Sequence, residues 1–215
     1  MISSIKKLVI SNSDFIYIIC TFIVMLSLSS FTLGNNSEQE IMLALIWICA
    51  TFALQISTGN LFASDYHDGI LEQIFIQPLS SKFIIAYKIF AHWILFGVPI
   101  SVISSIFNFV ILDNGIEYSI ITGLSLLLNM LIVINISATG SALMIGRNNL
   151  TSGMPQILVL PVIMPAFVYF KLLIQFEGLS LNAHILLITA LVFTILLVNS
   201  AIATHMALKF AVEQD

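Results

Sequence analysis

The chain has 215 residues, 59% of them hydrophobic and 8% charged, with a mean hydropathy of +1.08. A soluble globule carries about 25% charged residues, so this composition excludes one and defines an integral membrane protein. The formal charge of −4 argues against nucleic acid as a partner, although in a membrane protein the placement of charge says more than its sum.

A helix needs ~20 residues to cross the hydrocarbon layer. The length therefore leaves room for six spans with short connectors and little for a soluble domain. Met1 to Asp14 sets Ile2, Ile5, Leu8 and Val9 beside Lys6 and Lys7. That pattern fits a short amphipathic helix on the inner surface and equally the basic flank of a signal anchor. The apolar run 15–33 is too long for a signal-peptide core and lacks a convincing cleavage site, so it reads as a retained first span. A polar turn follows, then a second span over 41–61. Its second half carries Gln55, Ser57, Thr58 and Asn60, which should face other helices or a wet cavity because lipid cannot satisfy them.

A polar cytoplasmic segment, 65–82, separates this span from a third over 84–112. After the turn Asp113 to Tyr118, a fourth span covers 119–145, with Asn129 and Asn135 as interhelical hydrogen-bonders. The loop Gly146 to Pro155 leads to a fifth span over 156–174. Pro161 and Pro165 inside it should kink or break the helix. A loop with Glu177 precedes the sixth span, 183–207.

With six spans and a cytoplasmic N-terminus, Lys6, Lys7, Lys82, Lys88, Arg147 and Lys209 lie inside and Lys171 lies outside. Six of the seven basic residues then share one side, so the positive-inside rule favours N-in and C-in. The expected fold is all-α, a single polytopic transmembrane domain.

The segment 65–82 holds three of the eleven acidic residues. On a helix at about 100° per residue, Asp65, Asp68 and Glu72 fall within about 60° of one another, opposite Ile70 and Ile74. This is an amphipathic element whose acidic side suits basic groups on a partner. Gly69 is positioned to break it, Ile76 falls on the acidic side, and Pro78 ends it. A surface helix that only reconnects two spans has the same pattern.

Signatures of catalysis are missing. There is no GxxxxGK[ST] for ATP, no HExxH and no GxSxG. Cys20 and Cys49 fall in hydrophobic runs without CxxC spacing and read as apolar packers; no metal site is expected. His184 and His205 are about 31 Å apart along one helix and cannot share a site. His92 is one turn from Lys88 and adjacent to Trp93. It fits a haem ligand, a hydrogen-bonded packing residue or an interfacial anchor, with packing favoured.

The run DGILEQIFIQPLSSKFIIAYKIFAHW, Asp68 to Trp93, followed by GVP at Gly97 to Pro99, resembles the cytochrome c maturation protein B family. Members of this family are the membrane subunit of the haem-exporter ABC transporter of cytochrome c maturation. The family pattern is DG-x-LEQ-x4-PL leading into AHW, and ILVLPVIMP at 157–165 matches its proline-bearing fifth span. Length and six-span layout fit end to end. Elsewhere, notably Met1 to Leu61, the likeness is hydrophobic pattern alone.

The resemblance implies an ABC-exporter-type membrane domain that is not itself an enzyme. It implies a separate ATP-binding ABC subunit, a tryptophan-rich haem-handling membrane subunit and a haem chaperone served by the complex. Haem would be cargo, or the complex would use ATP to release the loaded chaperone. With only Trp47 and Trp93 in the chain, haem presentation is assigned to the partner. The implied location is a bacterial inner membrane, with a mitochondrial one as the alternative. In this reading Asp65, Asp68, Leu71, Glu72 and Gln73 contact the ATPase, Gly69 permits the turn, and the Pro161–Pro165 kink is either a bend that opens or a static packing kink. Two other classes share the composition. A secondary transporter would show an internal repeat or a mid-bilayer carboxylate, and neither is found. A scaffold that moves nothing would carry the same signature.

Overall fold

The computed structural model describes residues 12–33, 39–59, 61–76, 81–113, 115–143, 145, 154–175 and 202–211. Helix α1 (Asn12–Leu33) pairs with α2 (Gln39–Gly59), and two short helices follow, α3 (Ala63–His67) and α4 (Ile70–Ile76). Next, α5 (Ser81–His92) runs through a π-helical turn (Trp93–Gly97) into α6 (Val98–Val110). Helices α7 (Ile116–Leu143) and α8 (Met154–Gln175) come after it, and residues 202–211 form α9. Every element among the described residues is helical, so the all-α expectation holds.

Among the described residues, four stretches are long and apolar enough to cross a membrane: Asp14–Thr32, Gln39–His67, Ser81–Val110 and Ile116–Leu143. Within α8 the stretch Val159–Val168 is apolar as well. The chain is a multi-pass membrane protein. The expected N-terminal amphipathic segment, the loop bearing Arg147, and most of the sixth span with His184 lie outside the described residues.

Lipid explains which faces are greasy. In α1 the stripe Ile18, Phe22 and Leu26 is buried, while Ile16, Tyr17, Ile23, Val24, Leu28 and Phe31 are exposed. Such a surface is tolerated only against hydrocarbon. The hydroxyls of Thr21, Ser27, Ser29 and Thr32 donate to carbonyls three or four residues back, which spares these four donors an unpaired position against lipid.

Helix α7 is the hub, packed against α2, α6, α8 and the π-helical turn. Only a narrow stripe, including Ile116, Ile120, Leu124 and Leu128, remains exposed. Against α6 the backbones approach closely. A Cβ on Gly123 would overlap Ser105 Oγ and lie 3.3 Å from the Ser101 carbonyl, the small-residue contact typical of membrane helices. Ser101 Oγ donates to the Gly123 carbonyl at 2.7 Å, and Asn108 Nδ2 donates to Thr122 Oγ1 at 2.8 Å.

A second polar tie joins three helices. Trp47 Nε1 donates to Asn129 Oδ1 at 2.8 Å, and Asn129 Nδ2 donates to the Ala166 carbonyl. The Trp47 ring also lies 4.9 Å from that of Phe167. Asn129 is thus interhelical, as expected; Asn135 Nδ2 donates to the Leu131 carbonyl at 2.7 Å.

Of the kink or break expected at Pro161 and Pro165, the break does not occur. Helix α8 is not broken at Pro161 and Pro165 but runs through both, with their side chains exposed. An open break in hydrocarbon would strand backbone carbonyls without partners, which favours continuity. The irregularity falls instead in the third span, just before Pro99. That proline cannot donate to the Leu95 carbonyl and its ring presses against it. The π-helical turn widens the spacing there and lets the rod continue.

Candidate functional site: the segment between the second and third spans

The chain turns as soon as α2 ends. Leu61 and Phe62 are buried, and the Leu61 N–H donates to the Thr58 carbonyl at 3.1 Å. Five residues of α3 follow, closed by N–H donations from Asp68 to the Ser64 carbonyl and from Gly69 to the Tyr66 carbonyl. Gly69 has φ +67, the left-handed conformation that ends helices and that glycine adopts without Cβ strain. Helix α4 then starts in a new direction, with Leu71 and Ile74 buried and Glu72, Gln73 and Ile76 exposed.

Gly69 therefore divides the single amphipathic helix expected over Asp65–Gln77, and the continuous acidic face is not formed. Asp65 faces the interior at 4% exposure and is ion-paired with Lys88 of α5. Lys88 Nζ also lies 5.4 Å from the Phe62 ring centroid. Leu71, at 1% exposure, is packed in the core and is not a surface contact. Asp68, Glu72 and Gln73 are exposed. Burial of a carboxylate in this setting requires a paired cation, and Lys88 supplies it.

One turn further along α5 from Lys88, His92 is buried and its Nε2 is hydrogen-bonded to Ser57 Oγ at 2.5 Å. Its ring packs 4.6 Å from that of Phe96, which in turn lies 5.7 Å from the Phe15 ring of α1. His92 is a packed side chain joining α2 to α5, and its Nδ1 has no hydrogen-bond partner among the described residues. Trp93 Nε1 donates to the Leu127 carbonyl of α7 at 3.0 Å. Gly97 makes room for that indole, since a Cβ there would lie 3.1 Å from Trp93 Cδ1.

The far end of α4 meets the end of the chain. The rings of Phe75 and His205 are 5.3 Å apart, edge to face, and His205 Nε2 is hydrogen-bonded to Ser81 Oγ at 2.7 Å. Thr204, Ala207 and Leu208 of α9 are buried. Sequence reading missed this triad and the Asp65–Lys88 pair, because both join residues that no local periodicity relates. Among the described residues no cluster of His, Cys, Asp or Glu is arranged to hold a metal ion.

The site is an amphipathic elbow packed against a multi-pass helical bundle, with Asp68, Glu72 and Gln73 on its exposed side. The model of the CcmB protein family matches residues 4–213, and the chain belongs to that family. It is similar to heme exporter protein B of Pseudomonas aeruginosa, 28% identical over 176 residues that cover 79% of this chain and 77% of that protein. The protein of the same name from Haemophilus influenzae is 26% identical over 172 residues, 79% of this chain and 76% of its own. That of Escherichia coli K12 matches a shorter stretch, 28% identical over 85 residues and 39% of each chain.

Proposed function

We propose that this protein is the membrane subunit of a haem-export system serving cytochrome c maturation, and that it transmits ATP-driven motion from a separate ATP-binding subunit. Membership of the CcmB family and the names of its relatives support haem as the cargo of the system. The observation that carries the coupling role is the elbow itself. Asp68, Glu72 and Gln73 are exposed on a segment whose apolar side, Leu71 and Ile74, is buried in the bundle. Asp65–Lys88 ties its first helix to the third span. A push on the exposed carboxylates therefore reaches the spans through packed contacts rather than through a slack loop.

The chain acts as one transmembrane domain of six spans, N-in and C-in, of the ABC-exporter type. One contact favours the C-terminal side of this topology: His205 of α9 meets Ser81, where the third span leaves the elbow. The chain supplies no catalytic group. ATP is hydrolysed by the partner, and a tryptophan-rich membrane subunit presents haem to the chaperone. The system works in a bacterial inner membrane.

The test is a mild-detergent purification of tagged wild type and Glu72→Lys, with every co-purifying chain identified. The expected result is a Walker-motif ATPase bound to wild type and lost from, or uncoupled in, the variant. Absence of any ATPase while the membrane partners remain bound would overturn the coupling role and favour a scaffold.

A further inference from the structure

The elbow is fastened to two different parts of the bundle, and Gly69 is the joint between the fastenings. On one side, α3 is held to α5 by Asp65–Lys88 over the Phe62 ring. On the other, α4 ends at Phe75, whose ring meets His205, and His205 also bonds Ser81 at the start of α5. One imidazole thus bridges the end of α4, the beginning of α5 and the helix α9. Gly69 has φ +67 and nothing within 4 Å of the position a Cβ would take, so no described residue is packed against that face of the joint.

The geometry points to His205 as a positioning residue that makes α9 a second output of the elbow. Motion received at Glu72 and Gln73 passes through Phe75 and His205 into the C-terminal helix, in parallel with the path through Lys88 into the third span. This inference rests on the coupling role proposed above and extends it to a helix remote in sequence. The arrangement has a mechanical reason. Leu71 and Ile74 anchor the apolar side of α4, but a helix of seven residues hinged at a glycine can still pivot about that anchor. The imidazole lies near the end of α4 away from the hinge, where a pivot produces its largest displacement. Ala207 and Leu208, buried one turn beyond His205, carry the displacement into the core.

The experiment complements a strain lacking its own copy of the protein with wild type, His205→Ala, His205→Gln, Ser81→Ala, Phe75→Leu and the double variant Ser81→Ala/His205→Ala. Mature c-type cytochrome is read together with the amount of ATPase that co-purifies. His205→Ala should lower mature cytochrome about 5- to 10-fold while binding the ATPase at the wild-type ratio. His205→Gln, whose amide reaches the position of Nε2, should recover to within about twofold of wild type, and the double variant should be no worse than His205→Ala alone. A purely structural role would lower the amount of assembled protein in step with the output.

Wild-type output from His205→Ala with ATPase bound would overturn the inference and leave the coupling role standing. Loss of ATPase from His205→Ala alone would also overturn it, by assigning the residue to docking. Absence of ATPase from the wild type would remove the coupling role and this inference with it. Should His205→Ala fail to accumulate in the membrane, Ser81→Ala and Phe75→Leu at normal abundance decide the matter. Unchanged output from both would overturn the inference.

Discussion

Lys88 reaches across 23 positions of sequence to pair with Asp65, and the two side chains are 10% and 5% exposed. The pair fixes the first turn after the second span to the body of the third. Removing one partner leaves the other charge buried and uncompensated, so Lys88→Met alone should lower stability by about 3–5 kcal/mol. Adding Asp65→Leu should recover most of that loss. Thermal unfolding in detergent of the two single variants and the double checks it, and a double variant as unstable as the singles would show that the charges are solvated.

Gly69 tests backbone strain apart from packing. Its φ of +67 disfavours any L side chain, yet a Cβ would meet nothing within 4 Å. Gly69→Ala should cost about 1–2 kcal/mol, and Gly69→Asn less, since asparagine tolerates this conformation better. Equal losses in the two variants, measured by the same unfolding, would show that space and not φ decides.

Asn129 carries the three-helix tie, accepting from Trp47 and donating to Ala166. Hydrogen bonds between membrane helices average about 0.6 kcal/mol and reach about 1.7 kcal/mol, so Asn129→Leu should cost roughly 1–2 kcal/mol. In a Trp47→Phe background the same substitution should cost less, because one of its two bonds is already gone. Strict additivity in this double-mutant cycle would refute the tie.

At the α6–α7 contact, Gly123→Ala sets a methyl group against Ser105 Oγ, which must swing aside, and brings it to 3.2 Å from Ser105 Cβ. Ser105→Ala removes the movable atom. The double variant should therefore unfold at a higher temperature than Gly123→Ala alone, while Gly123→Leu, whose bulk meets the Ser101 backbone, should fail in both backgrounds.

What could be read from the sequence follows the reach of its signals. Hydrophobic runs located α1, α2, α7 and α8 to within a few residues, since a span declares itself through contiguous composition. Asn129 declared itself as a polar group where lipid offers no partner. The acidic face over Asp65, Asp68 and Glu72 did not form, because helical phase is additive only along an unbroken helix. Gly69 resets it. Likewise Pro161 and Pro165 looked like the point of irregularity, whereas the rod yields at Trp93–Gly97 beside a single proline. His205 and its partners join residues up to 124 positions apart. Proximity of that kind leaves no periodic trace in one chain.

The polar contacts that fasten α6 to α7 span only 14 and 22 positions, across the turn at Ile111–Gly115. Both contacts are therefore encoded before α8 has been synthesised. The two helices can leave the translocation machinery as a hairpin, with the Asn108–Thr122 and Ser101–Gly123 bonds already made, and serve as the template on which later-inserted helices assemble.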